Sequence, residues 1–591
     1  MPITHPDLHL TRLNGAIPAW LGEIRPGNLP PICQNVADGG GRLVALWGSD
    51  KRGESEGFAL HVALVTEAGL ICLSMALDAE QPVYPDISRI FPAAARMQRA
   101  TYDLLGIYAH EGRDHRKWVR HGEWHGFPLR KDYEQAACGE TGHSLPTCRG
   151  KDRMVAMTRR CGASGAGMAS SHPLPQAAGF ASNVSRDVGV GSLSEKYSTP
   201  SPTLPLQGGG SDSPGQHGEP DDYPFVQVEG QGVHEIPVGP IHAGIIEPGH
   251  FRFSVVGEKV LRLEERFGYT HKGIEKRFES MTLQQGAKLA GRVSGDSTVA
   301  YAWAYAMAAE SIAAVAPPDH ALWLRALFLE RERIANHLGD LGDLGNDVAL
   351  SFGFAQFWIL KEQVLRNNAA LFGHRYLMDK IIPGGVTADL VEPDKSTLRD
   401  ECTLLEREVR LLRGIYEEHA GMQDRFIAAG RVEPKLAAQL GLCGLAGRAS
   451  AQAWDARVQF ACAPYDKLDV QMETYRNGDV AARVIVRFDE LFESLRLQRE
   501  ILDHLAHSGK LATPLEKLPG NGFGVGMVEG WRGEVLVAIH TDAQGNLARV
   551  HPHDPSWQNW PALEHAIMGN IVPDFPLINK SFNLSYSGQD L

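Results

Sequence analysis

This sequence lacks the paired cysteines that most often indicate a metal or redox centre. Its 591 residues include eight cysteines, but no two of them form a Cys-x-x-Cys pair. The sequence therefore predicts neither a disulfide framework nor a zinc knuckle. An alternative metal site could be drawn from Cys138, Cys148, Cys161 and His143, but their spacings match no zinc pattern.

Basic charge and long apolar runs are also scarce. The chain has 58 Lys and Arg against 71 Asp and Glu, a net charge of −13, which argues against a large nucleic-acid footprint. The longest apolar stretch, Val299 to Val315, is rich in alanine and carries Glu310, so it is too short and too mild to span a bilayer. The first residues show no basic region followed by an apolar run, and we expect a cytoplasmic location.

The N-terminal part has the pattern of a small domain that mixes strands and a helix. Apolar runs at Arg42–Trp47, Phe58–Val65 and Leu70–Leu77 predict strands, and the last two are joined by a short turn typical of a hairpin. Apolar residues at helical spacing predict a helix over Ile87–Leu105. We place this domain at residues 1–134.

The remainder divides into a segment of biased composition and a long helical region. Residues 135–222 are rich in Gly, Ser, Pro and Ala, and such a segment cannot bury enough apolar area to offset its ordering entropy. We therefore expect a disordered linker there, followed by a large domain at 223–591. Apolar stripes in that domain predict a helical bundle. The predicted helices are Met281–Ala314, Ala321–Leu341, Phe352–Phe372, Lys395–Gly421 and Val480–His507.

Two blocks near the end of the first domain, at 97–107 and 124–133, resemble the signature of the C subunit of bacterial NADH-quinone oxidoreductase (complex I). The second half resembles the D subunit of that enzyme and, more closely, the large subunit of formate-hydrogenlyase-type nickel-iron hydrogenases. The matching motifs are 238–242, 247–252, 269–276, 330–337, 477–483 and 574–583. The resemblance implies an α+β fold, with a small N-terminal α/β-sandwich-like domain, the linker, and a large mainly α-helical bundle domain.

The same resemblance identifies where metal ligands would stand. In nickel-iron hydrogenases two Cys-x-x-Cys pairs supply four thiolates. Here the first pair aligns with Ser294 and Ser297, and the second with Ser585 and Gly588. A serine hydroxyl is a hard donor that stays protonated near neutral pH, and glycine has no side chain. We expect no nickel-iron site and no hydrogenase activity from this chain.

In complex I the emptied metal cavity receives a quinone headgroup between a histidine and a tyrosine. The histidine aligns with His250, whereas the tyrosine aligns with Gly295. The resemblance therefore implies a quinone pocket at His250 and Gly295, which Tyr301 would complete if it reaches in from further along the same helix. His250 could manage protons near neutral pH. The alternative is a structural histidine that anchors a β-turn.

Several charged residues would, by the same resemblance, line this cavity or the route to a membrane partner. They are Glu247, Glu275, Arg292, Asp296, Arg331 and Asp479. Charged groups beside a buried cavity can relay protons, but each could equally form a structural ion pair, and Arg292 could pair with Asp296 four residues later.

Two further expectations concern other polar residues of the large domain. Tyr269, His271 and Lys272 form a polar strip that we expect to orient the chain rather than perform chemistry. A harder ion such as magnesium, held by Asp296, Asp590 and the serines, is a further alternative.

The sequence offers no site for NAD or phosphate. Gly208–Gly210 precedes no helix, and Gly522–Gly526 lies in no βαβ unit, so neither predicts a phosphate or dinucleotide loop. In complex I the NADH site belongs to another subunit.

The resemblance implies a peripheral subunit on the cytoplasmic side of the inner membrane, within a complex-I-like or hydrogenase-4-like oxidoreductase. Its partners would be an iron-sulfur subunit of the complex I B type, a ferredoxin-like subunit and membrane subunits that translocate ions. Electrons from the iron-sulfur partner would reach a quinone-type acceptor. The alternatives are a non-catalytic scaffold subunit and a hydrogenase with an unusual ligand set.

Overall fold

A computed structural model describes residues 8–52, 57–122, 126–133, 223–243, 246–279 and 281–591. The linker predicted at 135–222 lies outside these residues, as do Cys138, Cys148, Cys161 and His143. The described residues before 134 and after 222 pack into one unit. The α+β fold is confirmed, whereas the predicted domain boundaries stay a prediction.

The first part of the chain forms a five-stranded sheet with the order β1-β2-β5-β4-β3. Its strands are β1 (Leu10–Arg12), β2 (Ala19–Glu23), β3 (Arg42–Asp50), β4 (Phe58–Thr66) and β5 (Gly69–Leu77). The β4–β5 pair is antiparallel and closes at Thr66 and Gly69, so the predicted hairpin is confirmed. Strand β4 is buried on both faces: Val62 and Leu64 join one apolar core, and Ala63 and Val65 join another. Because side chains alternate across a strand, this sheet is shared between two layers.

Two helices and a small strand pair complete this part. Helix α1 covers Leu29–Asp38 and α2 covers Ala94–Leu105, while β6 (Val83–Pro85) pairs with β7 (Tyr108–His110). The helix predicted from Ile87 begins only at Ala94. The Gln98 side chain accepts a hydrogen bond from the Ile87 N–H (3.1 Å), and Pro92 disfavours helix in the residue before it, so this segment turns.

The second part begins with a three-stranded antiparallel sheet, β10-β9-β8, and continues mainly as helices. The strands are β8 (Val233–Val238), β9 (His250–Val256) and β10 (Lys259–Arg266). The helices up to residue 372 are α3 (Ile274–Phe278), α4 (Leu283–Ala290), α5 (Thr298–Ala313), α6 (Asp319–Asp347) and α7 (Ser351–Phe372). A two-stranded ribbon follows, with β11 (Ile381–Ile382) and β12 (Gly385–Val386).

The later helices alternate with a second three-stranded sheet. The helices are α8 (Glu392–Glu418), α9 (Ala420–Phe426), α10 (Pro434–Leu440), α11 (Gly444–Arg448), α12 (Ala456–Gln459), α13 (Val480–His504), α14 (Ser556–Ala566), α15 (Phe575–Phe582) and α16 (Tyr586–Asp590). The strands are β13 (Phe523–Glu529), β14 (Glu534–Thr541) and β15 (Leu547–His553). Among the described residues no helix is long and apolar enough to cross a membrane.

One predicted helix is wrong in a way that matters for the site. The sequence predicted a single helix from Met281 to Ala314, but the structure has α4 and α5 with a loop at 291–297 between them. Ser and Gly in this loop favour turns over helix, and the Thr298 hydroxyl bonds the Gly291 carbonyl oxygen (2.6 Å) across it. The loop carries the two serines that align with the first cysteine pair.

Helix α5 lies directly against β13. A Cβ atom added to Gly524 would meet the Ala308 carbonyl oxygen at 2.2 Å, and one added to Gly526 would meet the Ala304 carbonyl oxygen at 2.1 Å. Glycine therefore lets this strand approach the helix backbone closely. The turn after β13 lies beside the 291–297 loop, where the Trp531 Nε1–H donates to the Asp296 carbonyl oxygen (2.9 Å).

Candidate functional site

The four positions aligned with metal-binding cysteines come together, and we call them the cradle: Ser294, Ser297, Ser585 and Gly588. The first two lie in the loop before α5, and the last two lie at the start of α16. The Ser294 and Ser585 hydroxyl oxygens are 2.9 Å apart, although 291 positions separate them in the chain. Both side chains are buried.

The C-terminal half of the cradle is occupied by helix capping and close packing. The Ser585 hydroxyl accepts the Gly588 N–H (2.9 Å), which caps α16. The Ser585 N–H in turn donates to the Ser556 hydroxyl (2.9 Å). A Cβ atom on Gly588 would lie 2.4 Å from Asp554 Oδ2. Asp554 thus fills the space that a cysteine side chain at position 588 would need.

An ion pair closes the other half. Asp296 accepts two hydrogen bonds from the Arg532 guanidinium, at 2.8 and 2.5 Å, and one from the Ser294 hydroxyl at 2.7 Å. Removal from water opposes ionisation of Asp296, but Arg532 outweighs it, and the pKa of Asp296 falls to about 2. The Arg532 guanidinium also lies over the Trp531 ring, 4.0 Å from its centroid. Two planar contacts therefore hold this cation in place.

Tyr301 reaches the cradle from α5, but it does not share a helix with Gly295 as we expected. Gly295 lies in the loop and not in α5, so the prediction that both share one helix is wrong. The buried Tyr301 hydroxyl donates to Asp554 Oδ2 (2.7 Å). Burial, and then the charge of Asp554, raise the pKa of Tyr301 well above its usual value. This hydroxyl is therefore a neutral donor that holds Asp554 against Gly588.

The oxygen atoms at and near the cradle are engaged by protein groups. Asp590 accepts hydrogen bonds from the Gly268 N–H (2.8 Å), the Thr270 N–H (2.9 Å) and the Thr270 hydroxyl (2.7 Å), whereas Asp296 binds Arg532. Within the described part of the chain, no group of three or more His, Cys, Asp or Glu side chains is placed to hold a metal ion. The residues present do not fit a nickel-iron centre, because they offer no thiolate and little space.

His250 and Glu247 lie beside the C-terminal half of the cradle. Glu247 accepts hydrogen bonds from both the N–H and the hydroxyl of Ser587. A Cβ atom on Gly249 would lie 2.7 Å from the Tyr586 ring, so this segment packs directly on the start of α16. The buried His250 ring has the Gly239 carbonyl oxygen 3.3 Å from Nδ1. These contacts connect the predicted quinone-binding segment to the cradle.

Both nitrogen atoms of the His250 ring have protein neighbours. The Arg252 Nε–H donates to His250 Nε2 at 3.3 Å, and the Phe225 ring lies 5.2 Å from the imidazole. His250 is the first residue of β9, and its contact with the Gly239 carbonyl agrees with the alternative of a structural histidine.

The predicted pairing of Arg292 with Asp296 is wrong. Arg292 donates to Asp379 at 2.7 and 2.8 Å, on the protein surface, because the loop breaks the helical face that the two residues were expected to share. Asp296 instead faces inward to Arg532. The structure therefore separates Arg292 from the cradle.

The other predicted charged residues serve separate local structures. Glu275 binds Arg549 (2.7 Å) and His551 (2.8 Å); burial opposes its ionisation, but these partners lower its pKa to about 2. Arg331 pairs with Glu401 (2.5 Å) inside the helical bundle. Asp479 caps α13 by accepting the Ala482 N–H (2.9 Å). The remaining polar strip binds neighbouring main chain and rings: His271 contacts the Asp590 carbonyl, Lys272 the Val293 carbonyl, and Tyr269 the His121 ring.

Three residues at the cradle were missed by sequence reasoning: Arg532, Asp554 and Glu332. Arg532 sits in the Gly-Trp-Arg-Gly turn between β13 and β14, and a charged residue in a turn between two apolar strands was the available signal. Glu332 accepts the N–H groups of Val299 (2.6 Å) and Ala300 (3.2 Å) at the start of α5. Burial raises its pKa to about 8 against these two hydrogen bonds.

Two family models match this chain. Residues 347–519 match the model described as respiratory-chain NADH dehydrogenase, 49 Kd subunit, and residues 23–138 match the model described as respiratory-chain NADH dehydrogenase, 30 Kd subunit. The order of the two matches agrees with the C-type and D-type halves predicted from the motifs.

Curated relatives include hydrogenase proteins. Formate hydrogenlyase subunit 5 of Escherichia coli (strain K12) is 26% identical over 93% of this chain and 85% of its own length. The carbon monoxide-induced hydrogenase of Rhodospirillum rubrum is 30% identical over 59% of this chain and 97% of its own length.

A solved structure shares the fold. It is a chain from the membrane-bound sulfane sulfur reductase, an archaeal respiratory membrane complex, with a TM-score of 0.58 and 24% identity. The match covers 61% of this chain and 99% of that chain.

Proposed function

This chain belongs to the family of the respiratory-chain NADH dehydrogenase 49 Kd and 30 Kd subunits and the hydrogenases related to them, and we propose that it is a nickel-free subunit of a membrane-bound oxidoreductase of this type. The observation that carries the proposal is the cradle itself. Its serine hydroxyls contact each other, and an Asp296–Arg532 ion pair stands beside them. The chain keeps the family's framework and replaces the metal-binding chemistry with hydrogen bonds.

Nickel and iron need soft, deprotonated ligands, and the cradle offers none. Serine hydroxyls stay protonated near neutral pH, and affinity for these metals depends on ligand type and number. Asp554 occupies the space next to Gly588. We therefore expect no metal-dependent step in this chain. The role that remains is to couple electron transfer in partner subunits to ion translocation in the membrane.

For the acceptor we propose a quinone-type molecule that approaches the segment of Glu247 and His250. The packing of this segment on Tyr586 and Ser587 supports the proposal, because a ligand there would lie near the cradle. His250 would hydrogen-bond the acceptor and manage its protons. The electrons would come from an iron-sulfur subunit of the complex I B type, working with a ferredoxin-like subunit. Both would rest on membrane subunits that move ions, at the cytoplasmic side of the inner membrane.

A second candidate is a scaffold subunit without redox chemistry of its own. The packing at the cradle favours it: the cavity next to Asp296 and Gly295 has a volume of about 10 Å³, which is about the space of one water molecule. A quinone headgroup needs far more room than this. In the scaffold role the chain would transmit conformational change between partners.

The test uses the whole membrane complex. We would measure nickel by elemental analysis and compare quinone reduction in the wild type and in His250→Ala. The matched control is His234→Ala, an exposed histidine on the neighbouring strand β8. Quinone reduction that falls at least tenfold in His250→Ala alone supports the acceptor proposal. Equal activity in all three proteins supports the scaffold. Nickel at about one atom per chain would overturn the nickel-free proposal.

A further inference from the structure

A second group of buried charged side chains lies outside the cradle. We call it the inner charge cluster, and its members are Glu330, Arg333, Arg448, Asp455, Arg457, Glu490 and Glu529. Each of these seven residues is at most 8% exposed. None of them was identified as a site residue from the sequence, because they come from five separate segments of the chain.

Ion pairs link the members of the cluster into one network. Glu330 binds Arg457 at 3.0 Å, and Arg457 binds Asp455 at 2.7 Å. Glu490 accepts from Arg333 at 2.7 Å and from Arg448 at 2.7 Å. Glu529 accepts from Arg448 Nη1 at 2.8 Å, and Asp455 lies 3.7 Å from the same nitrogen atom. Two carboxylates thus share one guanidinium nitrogen.

The charges of this network do not balance. Four carboxyl groups face three guanidinium groups, and arginine stays protonated in proteins. The adjacent pair Arg42 and Glu534 is balanced in itself. An unpaired charge buried in protein is very costly, and the group takes up a proton instead. One proton on a member of the cluster therefore restores neutrality.

The geometry favours Glu529 as the group that holds this proton, because its one guanidinium partner, Arg448, is shared with Glu490. The other carboxyl oxygen of Glu529 accepts only the Ala456 N–H (3.1 Å). The charged and titratable groups facing it are Arg448 at the end of α11, Asp455 before α12, Glu534 on β14, Arg42 on β3 and Cys443 before α11. Burial is the largest cause, and the negative charges of Asp455 and Glu534 add to it. Together they outweigh Arg448 and raise the pKa of Glu529 to about 7.

His337 is the competing position for the proton. Its imidazole is fully buried, its Nδ1 has no hydrogen-bond partner, and its Nε2 lies 3.3 Å from Glu490. Burial lowers the pKa of His337, and Arg333 and Arg487 lower it further, which outweighs Glu490. The cluster therefore keeps this imidazole neutral and leaves the proton to a carboxyl group.

Solvent reaches the cluster through a cavity of about 530 Å³. Arg448, Asp455, Arg457 and Glu490 line it together with exposed side chains such as Glu473. Arg448 and Asp455, two of the groups that face Glu529, are thus in contact with this cavity.

We propose that Glu529 is a buried proton-binding site of this protein, and that its proton exchanges with water through the cavity lined by Arg448 and Asp455. Binding and release of the proton change the charge of the core by one unit. This site belongs to the chain alone and requires neither the cradle nor a redox partner.

Infrared difference spectroscopy on the full chain tests it. Spectra recorded across neutral pH report the C=O stretching band of each protonated carboxyl group. We expect the wild type to lose such a band as the pH rises through about 7, and Glu529→Gln to lack that band entirely. Glu332→Gln is the matched control, because Glu332 is another buried carboxyl whose pKa is raised, to about 8. That variant should keep the Glu529 band and lose its own.

Asp455→Asn provides a second test, which does not require Glu529→Gln to fold. Asp455→Asn removes one negative charge facing Glu529, so the band should disappear at lower pH than in the wild type. Transfer of the native wild type to heavy water should shift the band. An unchanged band in Glu529→Gln would overturn the assignment to Glu529. A wild type without such a band near neutral pH would also overturn it, because the proton would then lie on a group other than a carboxyl, such as His337. A band that does not shift in heavy water would overturn the route through the cavity.

Discussion

The cradle and the inner charge cluster use the same chemistry with opposite results. In the cradle, Arg532 faces Asp296 with two hydrogen bonds, and the carboxyl pKa falls to about 2. In the cluster, Arg448 is shared among Glu490, Glu529 and Asp455, and the pKa of Glu529 rises to about 7. The residue types are alike in both places. The number of carboxylates for each guanidinium differs: Arg532 outweighs the effect of burial on Asp296, whereas the shared Arg448 does not outweigh it on Glu529.

The difference also separates two kinds of buried polar structure. In the cradle, Asp296 is satisfied by its pair with Arg532 and by the Ser294 hydroxyl, so this carboxyl group stays ionised near neutral pH. The cluster carries one excess carboxylate next to a water-accessible cavity. Asp296, at the aligned metal site, is thus held ionised by one paired cation, whereas the inner charge cluster, which was not identified as a site from the sequence, has a carboxyl group without a cation of its own.

The largest expected effect comes from removing the shared cation. Arg448→Met leaves Glu490 and Glu529 without their common partner, and breaking a buried pair in this way costs about 3–5 kcal/mol of unfolding free energy. Urea unfolding followed by circular dichroism measures it. The control is Arg292→Met, whose exposed pair with Asp379 is worth about 0–1 kcal/mol. Equal losses in both variants would contradict the cluster.

The two regions should also respond to pH with opposite sign. The pKa of Glu529 is raised from 4.5 to about 7, so its contribution to the free energy of unfolding is present below pH 4.5 and is lost as the pH rises through 7. The pKa of Asp296 is lowered from 3.8 to about 2, so its contribution is present above pH 3.8 and is lost as the pH falls towards 2.

As the pH rises from 4.5 to 8, we therefore expect the free energy of unfolding of Glu529→Gln to increase by about 3 kcal/mol relative to that of the wild type. As the pH rises from 2 to 5, the free energy of unfolding of Asp296→Asn should fall by about 1–2 kcal/mol relative to that of the wild type. Solvent screening keeps this effect small, because 36% of the Asp296 side chain is exposed. Unfolding midpoints in urea across this pH range measure both. The same slope in the two variants would refute the comparison.

A further effect concerns space in the cradle. Gly588→Ala places a Cβ atom 2.4 Å from Asp554 Oδ2, and such overpacking costs about 1–3 kcal/mol. Gly295→Ala is the matched control, because nothing lies within 4 Å of a Cβ atom there. Thermal unfolding of the two variants compares them. A neutral Gly588→Ala would mean that the cradle still has room for a side chain at position 588.

Much of the fold followed from local pattern. The hairpin of β4 and β5 and the long helices α6, α7, α8 and α13 were predicted within a few residues, because apolar periodicity over such lengths is a strong signal. The break between α4 and α5 was not predicted. Alanine-rich periodicity on both sides concealed it, and the loop is held by contacts from distant residues such as Arg532, which binds Asp296.

The sequence by itself determined the absence of thiolates at Ser294, Ser297, Ser585 and Gly588, because ligand chemistry is written in residue type. It also determined the family resemblance through the order of its motifs. Only the tertiary structure decided what replaced the metal: Arg532 and Asp554 arrive at the cradle from the β13–β14 turn and the end of β15. The proton balance of the inner charge cluster was likewise invisible in the sequence. A pKa depends on which charges share a buried volume, and only folding brings those charges together.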